Sequence, residues 1–259
     1  MYLHAFSIAD NGLLANLYSF SFYFIILLTF GLETAFFHFA ERRLDADKAY
    51  ANGFIVILAL NGVFLLAGAA GHSLLAEGMG CAHSPQLVFV WLGIVAADTL
   101  AALPMARLRR QEAATRFAII SLANIGLTVA LNLYFVLQLG WGVESVFLAN
   151  FIASVAKLGM ALVQNLPDTQ LFEADAARPM ALYGLYIMIA GLLGAMNEHL
   201  DKNLTPRLWP DEQEYKGTAY TGMELNGVYA AMYKLGMFVA LITQAFRYAA
   251  EPLFFRHGG

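Results

Sequence analysis

The stretch Gly227–Phe255 is as apolar as a membrane-spanning helix, yet it carries four charged or amide side chains. They are Lys234, Gln244, Arg247 and Glu251. At about 100° per residue, their spacings place them on roughly one stripe of a helix. A charged side chain is costly in hydrocarbon, so we expect this stripe to face a polar cavity or a partner helix. An ammonium and a guanidinium in such a place suit a phosphate, because both give charge-assisted hydrogen bonds.

A second polar group follows an apolar run in the segment MNEHLDK, residues 196–202. Glu198 and Lys202 are four residues apart and can pair on one helix face. Solvation at a helix end is the simpler explanation for Lys202. For Asn197 and Glu198, a position on the lining of a cavity is an equal alternative.

Three further ionisable side chains stand in apolar runs, namely Glu33, Asp98 and Lys157. For Glu33, pairing with Arg42 or Arg43 at the membrane interface is the simplest explanation. Asp98 either hydrogen-bonds a neighbouring helix or lines a site. Lys157 is near the end of its run, so we expect its long side chain to extend to the interface.

Composition places the chain among polytopic membrane proteins. Hydrophobic residues make up 59% and charged residues 13% of the sequence, against about 25% charged residues in soluble domains. Seven stretches have roughly the length of a spanning helix, so we predict an all-α membrane protein with about seven transmembrane helices. They are residues 13–30, 53–70, 87–106, 117–137, 146–163, 180–200 and 227–255.

Loop charges predict the orientation. Arginine and lysine concentrate in alternate loops, whereas loops 71–86 and 138–145 contain neither. The positive-inside rule therefore places residues 1–12 outside and the C-terminus in the cytoplasm. The same rule places Cys81, the single cysteine, in an external loop. An external start also leads us to expect a further span upstream.

Enzyme motifs such as the P-loop, GxSxG and HExxH are absent from the sequence, so we predict neither an enzyme nor a cofactor. His72, Glu77, Cys81 and His83 share a loop, but their spacing matches no standard metal site. A membrane enzyme such as a glycan polymerase or acyltransferase stays an alternative. It would need a compact set of His, Asp or Arg in an outer loop, and loops 71–86 and 138–145 contain no Arg.

Several segments, taken together and in order, resemble one known family. They are GLETAFFHFA at 31–40, ARLRRQEAATRFA at 106–118, NIGLTVALNL at 124–133, VFLAN at 146–150, MNEHLDK at 196–202, and GVYAAMYKL with QAFRYAAEPLFF within 227–255. The chain resembles bacterial polysaccharide biosynthesis membrane proteins, flippase-like members of the multidrug/oligosaccharidyl-lipid/polysaccharide exporter superfamily.

The resemblance implies two bundles of six helices about a central cavity. It also implies alternating-access export of an undecaprenyl pyrophosphate-type lipid-linked oligosaccharide across the bacterial inner membrane. Membrane lipids, glycan polymerase or assembly proteins, and a coupling H⁺ or Na⁺ are the implied partners. On this basis residues 1–165 form most of the first bundle, 166–179 a cytoplasmic connecting loop, and 180–259 the start of the second.

Site residues follow from the motifs together with the polar positions above. The candidate substrate-binding residues are Lys234, Arg247, Asn197, Glu198 and Gln244. The candidates for ion coupling or gating are Asp201, Glu33, Glu251 and Asp98. The cytoplasmic basic loop is assigned to Arg107, Arg109 and Arg110.

The chain departs from the family pattern at both ends and in a long outer loop at 203–226. A non-transporting remnant or partner subunit is therefore one alternative. A drug or cation antiporter of the same superfamily is another, and it would favour carboxylates over Lys234 and Arg247 in its cavity.

Overall fold

The structure is a computed structural model that describes residues 6–163, 165–209, 213–215 and 218–236. Within these residues six helical segments are long and apolar enough to cross a membrane. The prediction of an all-α, multi-pass membrane protein is thus confirmed at that level. Residues 227–236 of the predicted seventh span are helical, and the rest of that span lies outside the described residues.

The helices in chain order are α1 (Ile8–Thr29), α2 (Leu32–Arg42), α3 (Ala46–Ala70), α4 (His72–Gly78), α5 (Gln86–Arg110), α6 (Ala114–Leu133), α7 (Val143–Leu162) and α8 (Ala174–Leu208). A π-helical turn, Tyr134–Gln138, extends α6, and a 3₁₀ turn, Thr169–Leu171, precedes α8. A short antiparallel hairpin follows, β1 (Gln213–Tyr215) and β2 (Thr218–Tyr220), with Glu214 opposite Ala219. Residues 222–236 are helical and are called α9 here.

Helix α1 begins at Ile8, earlier than the predicted span 13–30 and inside residues 1–12, which we placed outside the membrane. The reason is a capping box. The Ser7 amide donates to Asp10 Oδ2 at 3.2 Å, and the Asp10 amide donates to Ser7 Oγ at 3.1 Å. These two bonds satisfy amides that the first helical turn leaves without partners.

Helix α9 also starts inside a predicted loop, for the same physical reason. The Thr221 amide donates to Glu224 Oε2 at 2.8 Å, and the Glu224 amide donates to Thr221 Oγ1 at 3.2 Å. The predicted outer loop 203–226 is therefore largely structured, since it contains the end of α8, the hairpin and the first turn of α9.

The chain divides into two compact units, one made of Met1–Asn16 with Asp201–Gly259 and the other of Leu17–Leu200. In the larger unit, α5 is the central helix. Of its most apolar 18 residues 67% are buried, against 17–39% for the corresponding stretches of the other candidate spans. Trp91 on α5 is fully buried, and its indole N–H donates to Ser21 Oγ at 2.8 Å. The burial of the Trp91 ring and the hydrogen bond of its N–H together hold α5 against α1.

A sharp break separates α1 from α2. Phe30 and Gly31 both have positive φ, 52° and 64°. The backbone of α8 lies against this break, because a Cβ placed on Gly31 would be 2.4 Å from the Gly184 carbonyl oxygen. The glycines at positions 31 and 184 are what permit this close approach.

The segment between α7 and α8 is fastened to the start of α3. The Tyr50 hydroxyl donates to the Asn165 carbonyl, and the Asn52 side chain both donates to the Leu171 carbonyl at 3.3 Å and accepts from the Glu173 amide at 2.9 Å. Asn52 is fully buried. We call these bonds of Asn52 the Asn52 network.

The smaller unit is built on a close crossing of two helices. A Cβ on Gly12 would be 1.9 Å from the Met223 carbonyl oxygen, and one on Gly227 would be 2.1 Å from the Ile8 carbonyl oxygen. The buried Asn226 side chain donates to the Gly12 carbonyl at 3.1 Å. The start of α1 and the start of α9 are therefore in backbone contact.

Candidate functional site

An ion pair joins two candidate membrane spans of the larger unit. Lys157 Nζ, on α7, is 2.6 Å from Asp98 Oδ1, on α5. The two side chains are only 21% and 24% exposed. Both residues belong to candidate membrane spans. Charges at such depth are rare in membrane helices and mark polar pathways or relays.

The pair lines a pocket of about 280 Å³ between α1, α5, α6 and α7. The lining residues are Tyr18, Ser21, Phe22, Ile25, Ile94, Asp98, Asn124, Thr128, Phe147, Asn150, Ser154 and Lys157. Tyr18 stacks on Phe147 with ring centroids 5.5 Å apart, and Asn150 Nδ2 donates to the Tyr18 hydroxyl. The pocket thus combines aromatic faces with amides, hydroxyls and one opposed pair of charges.

One polar atom of this pocket is buried without a partner in the part of the chain that the structure describes. It is Asn124 Oδ1. The neighbouring Thr128 hydroxyl does not serve it, because Thr128 Oγ1 donates to the Asn124 main-chain carbonyl at 2.8 Å. A buried acceptor left unpaired is costly, so this oxygen is available to a ligand that brings a hydroxyl or N–H donor.

The arrangement can bind a small polar group and respond to it. The carboxylate of Asp98 and the amide of Asn124 accept hydrogen bonds, and the ammonium of Lys157 donates them. A hydroxylated ring can also stack on Tyr18 or Phe147. An anion that attracts Lys157, or a cation or proton that neutralises Asp98, would weaken the link between α5 and α7.

Sequence reasoning found one half of this pair and missed the other. Asp98 was among the predicted gating residues, whereas Lys157 was expected to extend to the membrane interface. In the structure the Lys157 ammonium is held by Asp98 instead. The two residues lie on different helices and share no local spacing, so only their separate presence in apolar runs was a signal.

The basic residues that we assigned to a loop are in fact on the last turn of α5, which ends at Arg110. Arg109 pairs with Glu33 at 2.6 Å, so the partner of Glu33 is neither Arg42 nor Arg43 as expected. Arg107 pairs with Asp47 and lies over the Tyr50 ring, 4.4 Å from its centroid. Cations at a helix C-terminus also complement its dipole, so these arginines have a structural role at this end.

Arg110 is engaged as well, since its guanidinium donates to the Ala40 carbonyl at 3.2 Å. This bond ties the end of α5 to α2. All three predicted loop arginines therefore make contacts with neighbouring elements.

The predicted substrate-binding residues on α8 and α9 are exposed in the structure. They are Asn197 and Glu198 on α8 and Lys234 on α9. The prediction for Gln244, Arg247 and Glu251 falls outside the described residues. The roles of all these residues stay predictions.

Asp201 and Lys202, in the smaller unit, are both engaged with α9. The Tyr229 hydroxyl donates to Asp201 Oδ2. Lys202 is 6% exposed and its ammonium is 3.7 Å from the centroid of the Tyr233 ring. The expectation that Lys202 is simply solvated is wrong, because its ammonium lies on an aromatic face.

Among the described residues, none of the His, Cys, Asp and Glu side chains form a group of three that could hold a metal ion. Comparison with known protein families, with curated proteins and with solved structures finds no match.

Proposed function

We propose that this protein is a flippase-type exporter that moves a lipid-linked oligosaccharide across the bacterial inner membrane. The substrate class comes from the sequence resemblance. The observation that carries the proposal is the partly buried Asp98–Lys157 pair, which lines a pocket of mixed polar and apolar side chains. Two opposite charges inside a membrane bundle, beside a cavity and an unpaired acceptor, are typical of substrate and ion pathways.

In this proposal the pocket takes part in gating. The anionic head group draws Lys157 away from Asp98, because a phosphate oxygen forms a comparable charge-assisted hydrogen bond. The freed Asp98 and the Asn124 amide then accept hydrogen bonds from sugar hydroxyls. Since the ion pair joins α5 to α7, its opening would permit the helix movement that alternating access requires.

The second candidate is a cation or drug antiporter. It is favoured by a carboxylate in a pocket whose lining includes Tyr18, Phe22 and Phe147. A cation would pair with Asp98 and stack on an aromatic ring. The two candidates differ in which charge of the pair contacts the substrate, and this difference can be tested.

The experiment is deletion of the gene in its source strain, with complementation by variants. Loss of surface polysaccharide and accumulation of a lipid-linked intermediate are the expected results of deletion. Wild-type protein should restore export, whereas Lys157→Met, at equal membrane level, should not. Arg42→Ala, which removes an exposed charge outside the pocket, is the matched control.

Lys234→Ala tests the predicted substrate-binding residue in the same strain and should also abolish export. If deletion leaves the polysaccharide intact but makes cells sensitive to cationic drugs, with Asp98→Asn reproducing the defect, the antiporter is the correct function. Intact export with Lys157→Met would contradict the proposed role of the pair.

A further inference from the structure

A second pocket opens where the start of α6 meets the end of α7. Its volume is about 330 Å³. The lining residues are Leu108, Arg116, Ile119, Ile120, Met160, Val163 and Asn165. Apart from Arg116 and Asn165 the lining is apolar, and the pocket is separate from the one that contains the ion pair.

The floor and the rim of this pocket differ in exposure. Leu108 and Ile120, on the floor, are 2% and 7% exposed. Ile119 and Val163, on the rim, are 59% and 75% exposed. A strongly exposed aliphatic rim on a membrane helix is a surface for lipid chains, since lipid takes the place that water has around a soluble protein.

Arg116 gives the pocket one charged end. It lies in the first turn of α6, whereas Val163 directly follows the last residue of α7. Both positions are therefore at the end of a spanning segment, which is the depth of the lipid head groups. The guanidinium at this depth, with Ile119 and Met160 about one turn further in, thus matches a phospholipid head group followed by an acyl chain.

The neighbouring arginines are already engaged by other groups. Arg107 pairs with Asp47, Arg109 pairs with Glu33, and Arg110 donates to the Ala40 carbonyl. Arg116 is an exposed side chain, and none of the ion pairs within the described residues includes it. It is the arginine of this region whose charge is left for a ligand.

We propose that this pocket binds one anionic phospholipid of the phosphatidylglycerol type. The phosphate lies against the Arg116 guanidinium at the helix ends, and one acyl chain runs along Ile119 and Met160, which lie three residues further into the bundle than Arg116 and Val163. Basic pockets between membrane helices at head-group depth are suited to such lipids. This site is independent of the proposed transport function, because it needs neither the ion pair nor a transported substrate.

The test is lipid retention by the purified protein in a neutral detergent, measured by native mass spectrometry. Phosphatidylglycerol and phosphatidylcholine with identical acyl chains are titrated separately. We expect phosphatidylglycerol to be retained in preference, and Arg116→Ala to weaken its retention about fivefold, the effect of one basic contact. Arg42→Ala, an exposed arginine outside the pocket, should leave retention unchanged.

A second variant tests the acyl-chain part of the site. Ile119→Asn keeps the charge but places an amide on the rim, so it should also reduce retention of phosphatidylglycerol. Because Ile119 is 59% exposed, this change should leave the fold intact. The proposal would be overturned by equal retention of both lipids or by no effect of Arg116→Ala. It would also be overturned if glycerol phosphate alone protected the protein against heat as well as phosphatidylglycerol does.

Discussion

Lys157 Nζ lies 2.6 Å from Asp98 Oδ1, and this contact joins α7 to α5 within the apolar part of the larger unit. Ser154, one turn before Lys157, is buried, and so is Thr99, which follows Asp98. The Thr99 hydroxyl donates to the Asn61 side-chain oxygen at 2.8 Å. A polar layer therefore crosses the bundle from α7 through α5 to α3, and the ion pair is its charged member.

The first prediction is that each single variant of the pair is less stable than the double variant. Lys157→Met leaves a carboxylate, and Asp98→Asn leaves an ammonium, in a site with limited access to solvent. Removing one partner of a buried pair costs about 3–5 kcal/mol. We expect the lower end of that range, because the side chains keep 21% and 24% exposure.

The double variant Asp98→Asn with Lys157→Met removes both charges and should recover part of that loss. Denaturant unfolding in detergent micelles gives the free energy of unfolding of the wild type, the two single variants and the double variant. Additive losses, with the double variant as unstable as the sum of the two single ones, would show that the two side chains do not stabilise each other.

The second prediction concerns Cys81 and the orientation of the chain. We placed its loop outside, but the Cys81 side chain is fully buried, so exposure of the loop does not make the thiol accessible. Burial also raises the pKa of the Cys81 thiol above its ordinary value, which lowers the thiolate fraction at neutral pH. We expect slow maleimide labelling of Cys81 even in permeabilised cells.

His83, which is exposed in the same loop, is the better labelling site. On a Cys81→Ser background, His83→Cys should react with an impermeant maleimide in intact cells with a permeable outer envelope. Reaction only after lysis would reverse the predicted orientation.

For the wild type, the raised pKa of the Cys81 thiol means that the folded protein holds the thiol proton more tightly than the unfolded chain does. The stability of the folded protein should therefore fall as pH rises above the ordinary thiol pKa.

The third prediction is that Gly31→Ala is strongly destabilising, whereas Gly126→Ala is not. Alanine at position 31 would have to adopt a φ of 64° and place its Cβ 2.4 Å from the Gly184 carbonyl oxygen. A Cβ placed on Gly126, on α6, would meet no atom of the described residues within 4 Å. Alanine there should be neutral or stabilise α6 by about 0.5–1 kcal/mol through its higher helix propensity.

Melting temperatures of the two glycine variants in detergent test this prediction. A small effect of Gly31→Ala would mean that α8 can shift away from the break between α1 and α2. The matched Gly126 variant excludes a general effect of replacing glycine in a membrane helix.

Hydropathy predicted the six described spans because twenty or so apolar residues leave few alternatives to a spanning helix. Hydropathy did not predict where α1 and α9 begin. There Ser7 with Asp10, and Thr221 with Glu224, cap a helix N-terminus inside polar sequence. Those S-x-x-D and T-x-x-E patterns were visible and could have been used.

The ion pair could not be predicted in the same way. Whether Asp98 meets Lys157 depends on the rotation of α5 and α7 about their own axes, and that rotation is set by packing. The Phe151 ring of α7 packs directly against Gly93 of α5, where a Cβ would come within 2.5 Å of the ring. Contacts of this kind hold the two helices in register. A single sequence gives the residues on each helix but not the faces that meet.

The last prediction concerns the Asn52 network, which fastens the segment before α8 to α3. Asn52→Ala would leave the Leu171 carbonyl and the Glu173 amide without the partner that each has in Asn52. Asn52 is fully buried, but Leu171 is half-buried and Glu173 is exposed, so these groups regain part of their hydration and a loss of about 1 kcal/mol is expected. The loss should be local, because both bonds join Asn52 to residues 171–173.

Hydrogen exchange of the peptide covering residues 165–173 measures this directly, and chymotrypsin cleavage after Phe172, which is 40% exposed, gives a second readout. Both should accelerate in Asn52→Ala. The matched control is Lys48→Ala, which breaks the neighbouring ion pair with Glu173. The two side chains are 29% and 55% exposed, and pairs near the surface contribute about 0–1 kcal/mol. If the control accelerates exchange as much as Asn52→Ala does, then charge rather than the buried amide holds the segment in place.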